Sequence, residues 1–172
     1  MRYKSSLLSP PLLKDFKNLN KEQLITLLVE LKKLNKENEA FLYKKLFSNS
    51  NKFYVITCKK IDSSFSCFEL MSLKDARQAL NDFKKANPQD SDLVELYLYY
   101  IKKAYALEKT DWRFQENFYS AIEKVFSMMV EILKKDSLLK DKYAVRVQSL
   151  IKQANEGWAH KETLEYAYNQ IK

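Results

Sequence analysis

The densest run of hydrophobic residues in this chain lies between positions 92 and 108. Two apolar stripes follow it at helical spacing and leave a narrow polar strip that includes Glu95. A helix that is apolar over most of its circumference must be covered on several sides. The pattern therefore predicts that 92–108 is the central helix and that solvent does not reach four of its residues, Leu96, Tyr100, Ile101 and Ala104.

Capping signals mark the beginnings of two further helices. Asn20 with Gln23 three residues later forms a capping-box pattern, and a leucine-rich run with a spacing of three to four residues follows it. Ser72 with Asp75 is a second cap signature, and its helix must end before Pro88. Pro10 and Pro11 favour the start of a short helix at 12–18, and periodicity predicts the helices 37–47 and about 160–171.

The C-terminal third of the chain is predicted to form two more long helices. Asp111 is placed to cap a helix that ends near Lys135, and a second helix follows at 138–155. Gly157 lies where the glycine just beyond a helix C-terminus belongs. We therefore expect Gly157 to end the second of these helices.

The segment between residues 48 and 71 carries mixed signals. Residues 48–51 are typical of a loop, whereas Phe53 to Cys58 have the composition of a strand. No second strand-like run exists to pair with them, so 52–61 is predicted to be helical. Residues 1–11 are predicted to be a loose arm, and 62–71 an irregular connection whose apolar side chains pack on the core: Phe65, Cys67, Phe68 and Leu70.

Glycine and proline are almost absent, with one glycine and three prolines in 172 residues. Hairpins, bulges and phosphate-binding loops depend on these residues, so their scarcity disfavours β and nucleotide-binding α/β folds. The sequence predicts one all-α domain, 1–172, of seven or eight mostly antiparallel amphipathic helices. Either a helical bundle or a short stack of helical hairpins fits this pattern.

Three stretches resemble a family of small all-helical bacterial proteins that is described only as a domain of unknown function. They are the residues Leu19 to Ile25, the residues Ala76 to Lys85, and Gly157-Trp158 ahead of a Leu/Tyr-rich helix. The resemblance runs from about residue 12 to the C-terminus. It implies an all-helical fold, including a helix at 52–61, and it implies no activity.

Charge and cysteine content bear on partners and location. The formal net charge is +8, but only four of the 30 basic residues are arginines. This composition is more typical of a solvated lysine-rich surface than of a surface that recognises a specific nucleic-acid sequence. No apolar window is long enough to span a membrane, and the first residues lack the features of a signal peptide. With two cysteines, Cys58 and Cys67, the sequence predicts a cytoplasmic protein that does not bind membranes.

Candidate catalytic and metal-binding residues are few. One histidine and two separated cysteines cannot complete a zinc site, so we expect no metal and no cofactor. His160 could pair with Glu156 or with a cysteine, but a cap or a surface position beside the last helix is the simpler interpretation. Both cysteines lie among apolar residues, which is typical of inert thiols. We therefore expect a protein that is not an enzyme.

Two functions remain, and the first is protein–protein interaction. The chain has 11 tyrosines and 10 phenylalanines, more than its apolar stripes require, and tyrosine is enriched at interfaces. The sequence predicts an interaction or adaptor module that binds a protein partner or itself. The candidate surface comprises Tyr99, Tyr119, Lys102 and Lys103.

The alternative function is weak nucleic-acid binding without sequence preference. Residues 12–34 form a short helix, a turn and a leucine-rich helix, loosely similar to small helix–turn–helix modules. Binding would depend on lysines contacting phosphates. The candidate contacts are Lys14, Lys17, Lys21, Lys32 and Lys33.

Overall fold

The computed structural model describes residues 10–46 and 50–171, and within these ranges every regular element is helical. The predicted all-α single domain is confirmed, although the described residues form nine α-helices rather than seven or eight. A short 3-10 turn, Gly157–Ala159, precedes the last of them. The helices are α1 Pro10–Asn18, α2 Lys21–Leu34, α3 Lys36–Leu46, α4 Ser50–Ser64, α5 Leu73–Lys85, α6 Asp90–Glu108, α7 Glu116–Lys135, α8 Ser137–Lys152 and α9 His160–Asn169.

Helix α6 is the central element, as its two apolar stripes predict. It contacts α4, α5, α7 and α8, so neighbouring helices cover it on several sides. Leu96, Ile101 and Ala104 are completely inaccessible to solvent, and Tyr100 is 1% exposed. One continuous apolar core surrounds these residues.

The predicted cap signatures at Asn20 and Ser72 are confirmed. Asn20 accepts a hydrogen bond from the backbone N–H of Gln23, whose side chain accepts one from Asn20 in return. The Ser72 hydroxyl accepts a hydrogen bond from the Asp75 backbone N–H. Asp136 caps the start of α8, since its carboxylate accepts a hydrogen bond from the Leu139 backbone N–H.

The segment with strand-like composition is helical, as predicted. Phe53, Thr57 and Ile61 are buried on one side of α4 at a spacing of four, whereas Val55 is 48% exposed. Helix α4 begins at Ser50, so the predicted loop 48–51 is wrong at its last two residues, and residues 48 and 49 lie outside the described ranges.

The irregular connection is shorter than predicted, because α4 continues to Ser64. Phe65 is buried and Phe68 packs against the core, as expected. Leu70 is 71% exposed, so its predicted place on the core is wrong. Helix α1 begins at Pro10, so the loose arm predicted for 1–11 is wrong at its last two residues. Residues 1–9 lie outside the described ranges.

The leucine-rich helix α2 is amphipathic but has no buried residue. It packs on α3, and α3 packs on α5, where the Lys85 ammonium lies 2.8 Å from the Glu39 carboxylate. The helix therefore lies at the periphery of the domain. Six of its apolar side chains are between 36% and 73% exposed: Leu24, Ile25, Leu28, Val29, Leu31 and Leu34.

Two predicted helix boundaries in the C-terminal third are wrong. Helix α7 begins at Glu116, and the Asp111 carboxylate accepts from the Arg113 backbone N–H instead of capping the helix. Helix α8 ends at Lys152, and Gly157 does not have the positive φ of a C′ glycine. Trp158 and Ala159 adopt that left-handed conformation in its place.

None of the described helices combines the length and the apolar character needed to cross a lipid bilayer.

Candidate interaction surface

Both tryptophans of the chain lie exposed on two adjacent connections at one end of the helices. Trp112 is 90% exposed in the α6–α7 connection, residues 109–115, and Trp158 is 59% exposed in the α8–α9 connection, residues 153–159. The Asn155 side-chain amide donates to Glu108 Oε1 at 2.9 Å and so joins the two connections. We call these two connections, together with Glu108, the tryptophan end.

An open depression of about 520 Å³ lies at the tryptophan end. The C-terminus of α6, the α6–α7 connection, the first turns of α7 and the α8–α9 connection all contribute to its wall. A depression of this size can accept a side chain or a short loop of a partner. The lining residues are Glu108, Lys109, Thr110, Asp111, Trp112, Tyr119 and Asn155.

Arg113 fixes the conformation of the α6–α7 connection. Its guanidinium donates to Asp111 and, at 2.8 Å, to Glu69, and it stacks over the Phe68 ring at 4.1 Å from the ring centre. Hydrogen bonds from Arg113 lower the pKa of Asp111 to about 2, so this carboxylate is ionised at neutral pH. The connection that presents Trp112 is therefore tied to the segment between α4 and α5.

The α8–α9 connection is strained where it presents Trp158. Trp158 and Ala159 have φ values of 57° and 52°, and a side chain in this region costs about 1–2 kcal/mol per residue. Asn155 stabilises the connection from one side, since its Oδ1 accepts from the Gly157 N–H at 2.7 Å. Strain of this kind persists only where surrounding contacts over-determine it.

His160 anchors the other side of the same connection. It is completely buried, with Nδ1 2.8 Å from Glu123 Oε1 and Nε2 3.0 Å from the Tyr105 hydroxyl. Burial, followed by the charges of Glu108 and Glu123, raises the pKa of Tyr105 and keeps its hydroxyl protonated. Both ring nitrogens of His160 are therefore occupied, and no solvent-borne substrate can reach them.

These contacts correct the predictions for His160. Its side chain is buried and caps no helix, and it does not pair with Glu156, whose exposed carboxylate lies 3.1 Å from the Lys161 ammonium. The periodicity of 160–171 places residue 160 at a helix start, but only the tertiary packing brings Glu123 and Tyr105 to it.

Tyr119 on α7 lines the depression but is buried, so the exposed position predicted for it from the sequence is wrong. Its ring is 5% exposed and packs against His160, and its hydroxyl donates to Glu108 Oε1 at 2.8 Å. Burial and this hydrogen bond to a carboxylate raise the pKa of Tyr119 to about 12. The protonated Tyr119 hydroxyl therefore holds the Glu108 carboxylate in position.

Tyr99, Lys102 and Lys103 lie on another part of α6. Tyr99 donates to Asp62 on α4 at 2.7 Å, and the Lys103 ammonium lies 2.8 Å from the same carboxylate. Partial burial opposes the ionisation of Asp62, but the hydrogen bonds from Lys103 and Tyr99 still lower its pKa. Tyr99 lies nine positions before Glu108 on α6, roughly 14 Å along the helix, so the structure does not bring Tyr99 and Tyr119 together.

The five lysines predicted to contact nucleic acid are all exposed but do not form one cluster. Lys14, Lys17 and Lys21 lie on α1 and at the start of α2. Lys33 is at the other end of α2, about 18 Å from Lys21 along the helix. Lys32 beside it lies 3.5 Å from the Glu39 carboxylate.

Cys58 lies on α4, and Cys67 lies in the connection between α4 and α5. Burial raises the pKa of the Cys58 thiol, which is therefore protonated at neutral pH, as an inert cysteine is. His160 bonds to Glu123 and Tyr105 and to neither thiol. Within residues 10–46 and 50–171, no group of three or more potential metal-ligating His, Cys, Asp or Glu side chains comes together.

Sequence reasoning missed Trp112, Trp158, Glu108 and Asn155. The available signal was that both tryptophans fall outside every apolar helical stripe, beside polar residues that favour loops. That signal places each tryptophan in a connection. It does not show that residues 108 and 155 meet.

Comparison with protein-family models, with curated proteins and with solved structures gave no match for this chain. The resemblance to the helical bacterial family thus stays a prediction.

Proposed function

We propose that this protein is a non-enzymatic protein–protein interaction module, an adaptor, and that the tryptophan end is the surface on which its partner docks. The partner is another protein, or a second copy of this one. The proposal keeps the predicted class of function but moves the predicted surface from Tyr99, Lys102 and Lys103 to the tryptophan end.

The observation that supports this proposal is the placement of Trp112 and Trp158. Tryptophan is enriched among the residues that contribute most to the affinity of protein complexes, and it loses little conformational entropy on binding. When a partner covers a mostly exposed indole, apolar surface leaves water and the free energy of binding becomes more favourable. Two of them on adjacent connections can act together in one interface.

The polar contacts beneath the tryptophans also support the proposal. Asn155, His160 and Arg113 fix the two connections before any partner arrives. A surface that is already ordered loses less entropy on binding than a mobile one, so more of the contact energy contributes to affinity.

We place this interaction in the cytoplasm. Cys58 and Cys67 are both free thiols, and thiols stay reduced in that compartment.

Weak nucleic-acid binding stays the second candidate function. It is supported by the exposed lysines of the α1–α2 region, above all Lys14, Lys17 and Lys21. These side chains could neutralise a few phosphates, but they occupy a different part of the molecule from the tryptophan end.

The test is affinity capture with two matched variants. The wild-type protein is used to recover partners from a lysate of its source, and the protein that is enriched is purified and its dissociation constant measured. The Trp112→Ala/Trp158→Ala variant should weaken that binding at least tenfold, because each alanine removes a large apolar contact. Leu138→Ala/Val145→Ala removes two exposed apolar side chains from α8 and should leave the affinity unchanged.

Circular dichroism and the urea midpoint must show that both variants fold like the wild type. Equal losses in the two variants would mean that binding depends on exposed apolar area in general. Unchanged binding by the tryptophan variant would rule out the tryptophan end as the docking surface.

A further inference from the structure

The depression at the tryptophan end has the features of a site for a positive charge. Glu108 is the last residue of α6 and lines the depression. Its Oε1 accepts two hydrogen bonds, from the Tyr119 hydroxyl and from the Asn155 amide. No donor from the described ranges is bonded to its Oε2, so the carboxylate is held in place with one oxygen available to a ligand.

The backbone of α6 adds negative potential at the same point. The 19-residue helix ends in the wall of the depression, and the C-terminal end of a helix carries about half a negative charge. Cations bind favourably near such an end, whereas anions are repelled.

The Trp112 indole also favours a cation in the depression. Its exposed indole lines the same depression, and the face of an indole attracts ammonium and guanidinium groups better than any other aromatic side chain. Of the lining residues only Lys109 is cationic, and its exposed side chain can extend into solvent. Asp111 also lines the depression, but Arg113 already pairs with it.

From this arrangement we infer that the tryptophan end recognises a positively charged side chain of its partner, arginine or lysine. The ion binds between the Trp112 indole, Glu108 Oε2 and the C-terminus of α6. This inference rests on the proposed docking function, which it deepens by naming the chemical class of the group that is bound. Arginine suits the site best, because its planar guanidinium can stack on the indole while it donates to the carboxylate.

The test uses short blocked peptides and the fluorescence of Trp112. In a Trp158→Phe background Trp112 is the only tryptophan, so its emission reports on the depression. The probes are acetyl-Gly-Arg-Gly-amide and the corresponding peptides with lysine, glutamine or glutamate at the centre. We expect a saturable change in emission with arginine, a weaker one with lysine, and none with glutamine or glutamate.

Glu108→Gln removes the charge but keeps an oxygen that can accept from Tyr119 and Asn155. It should weaken binding of the arginine peptide about tenfold or more, since hydrogen bonds to a charged group contribute at least that factor. Glu131→Gln makes the same change of net charge at an exposed position on α7 and should leave the affinity unaltered.

The outcomes separate this inference from the docking proposal. Equal binding of the arginine and glutamine peptides, or equal effects of Glu108→Gln and Glu131→Gln, would overturn the cation site. If the protein partner is still lost with Trp112→Ala/Trp158→Ala, the docking proposal survives that result. If the arginine peptide binds as expected while the tryptophan variant keeps its protein partner, the docking proposal fails and the cation site stands.

Discussion

At the scale of single residues, His160 shows how a buried polar group can determine the shape of a surface. The residue is completely buried, yet both its ring nitrogens have partners on other helices, Tyr105 on α6 and Glu123 on α7. A buried polar side chain without partners would be costly, so these bonds fix where α9 begins. Trp158 and Ala159 precede it directly, and both adopt the left-handed conformation.

His160→Ala should lower the free energy of unfolding by about 2–4 kcal/mol. The substitution leaves a cavity and deprives Glu123 and Tyr105 of a buried hydrogen-bond partner. Urea denaturation followed by circular dichroism measures the change. Glu156→Ala is the matched control, because the Glu156 carboxylate is exposed and pairs with Lys161, and its effect should stay within about 0.5 kcal/mol. A His160→Ala cost below about 1 kcal/mol would contradict the anchoring role.

At the scale of helices, sequence periodicity predicts the elements well but not always their surroundings. The two stripes of α6 require cover on several sides, and the structure supplies it. The stripe of α2 is equally regular, yet α2 is peripheral, because an amphipathic pattern does not say how much of the apolar face a neighbour covers. Periodicity also cannot find the tryptophan end, since Asn155 and Glu108 meet across 47 positions of sequence.

Ile101→Ala in α6 and Leu28→Ala in α2 should therefore have very different costs. Ile101 has no exposure, so its truncation leaves a cavity and should cost about 2–5 kcal/mol of unfolding free energy. Leu28 is 40% exposed and should cost less than about 1 kcal/mol. Chemical denaturation of the two variants side by side measures both values. A cost below about 1 kcal/mol for Ile101→Ala would refute the central position of α6, and a larger cost for Leu28→Ala would show that α2 is covered.

At the scale of the whole molecule, several of the 30 basic side chains are paired with carboxylates, so fewer of them are available to a polyanion. Arg113 pairs with Asp111 and Glu69, and Arg146 pairs with Glu95. Lys103 and Lys161 likewise lie beside carboxylates. The remaining positive charge is spread over many lysines, which suits solubility and general attraction rather than recognition.

Any binding of DNA or RNA should accordingly be weak and steeply dependent on salt. Each phosphate that a lysine neutralises contributes about −0.9 to the slope of log affinity against log salt on duplex DNA. The lysines of α1 and α2 can contact a few phosphates at low salt, but Lys21 and Lys33 lie at opposite ends of α2 and cannot concentrate their charge. Two of the four arginines already pair with carboxylates, so few arginines are available for hydrogen bonds to bases that would compensate for the affinity lost at higher salt.

We therefore expect dissociation constants weaker than about 1 μM at 150 mM salt, with no sequence preference. Fluorescence anisotropy with labelled duplex and single-stranded oligonucleotides, over a series of salt concentrations, measures both quantities. Lys14→Gln/Lys17→Gln/Lys21→Gln should reduce the salt slope, whereas Lys124→Gln/Lys134→Gln/Lys135→Gln removes the same charge from exposed positions on α7 as a control. Nanomolar affinity at that salt, lost in the first variant and kept in the second, would make nucleic-acid binding the primary function. It would also place the main binding surface on α1 and α2 instead of the tryptophan end.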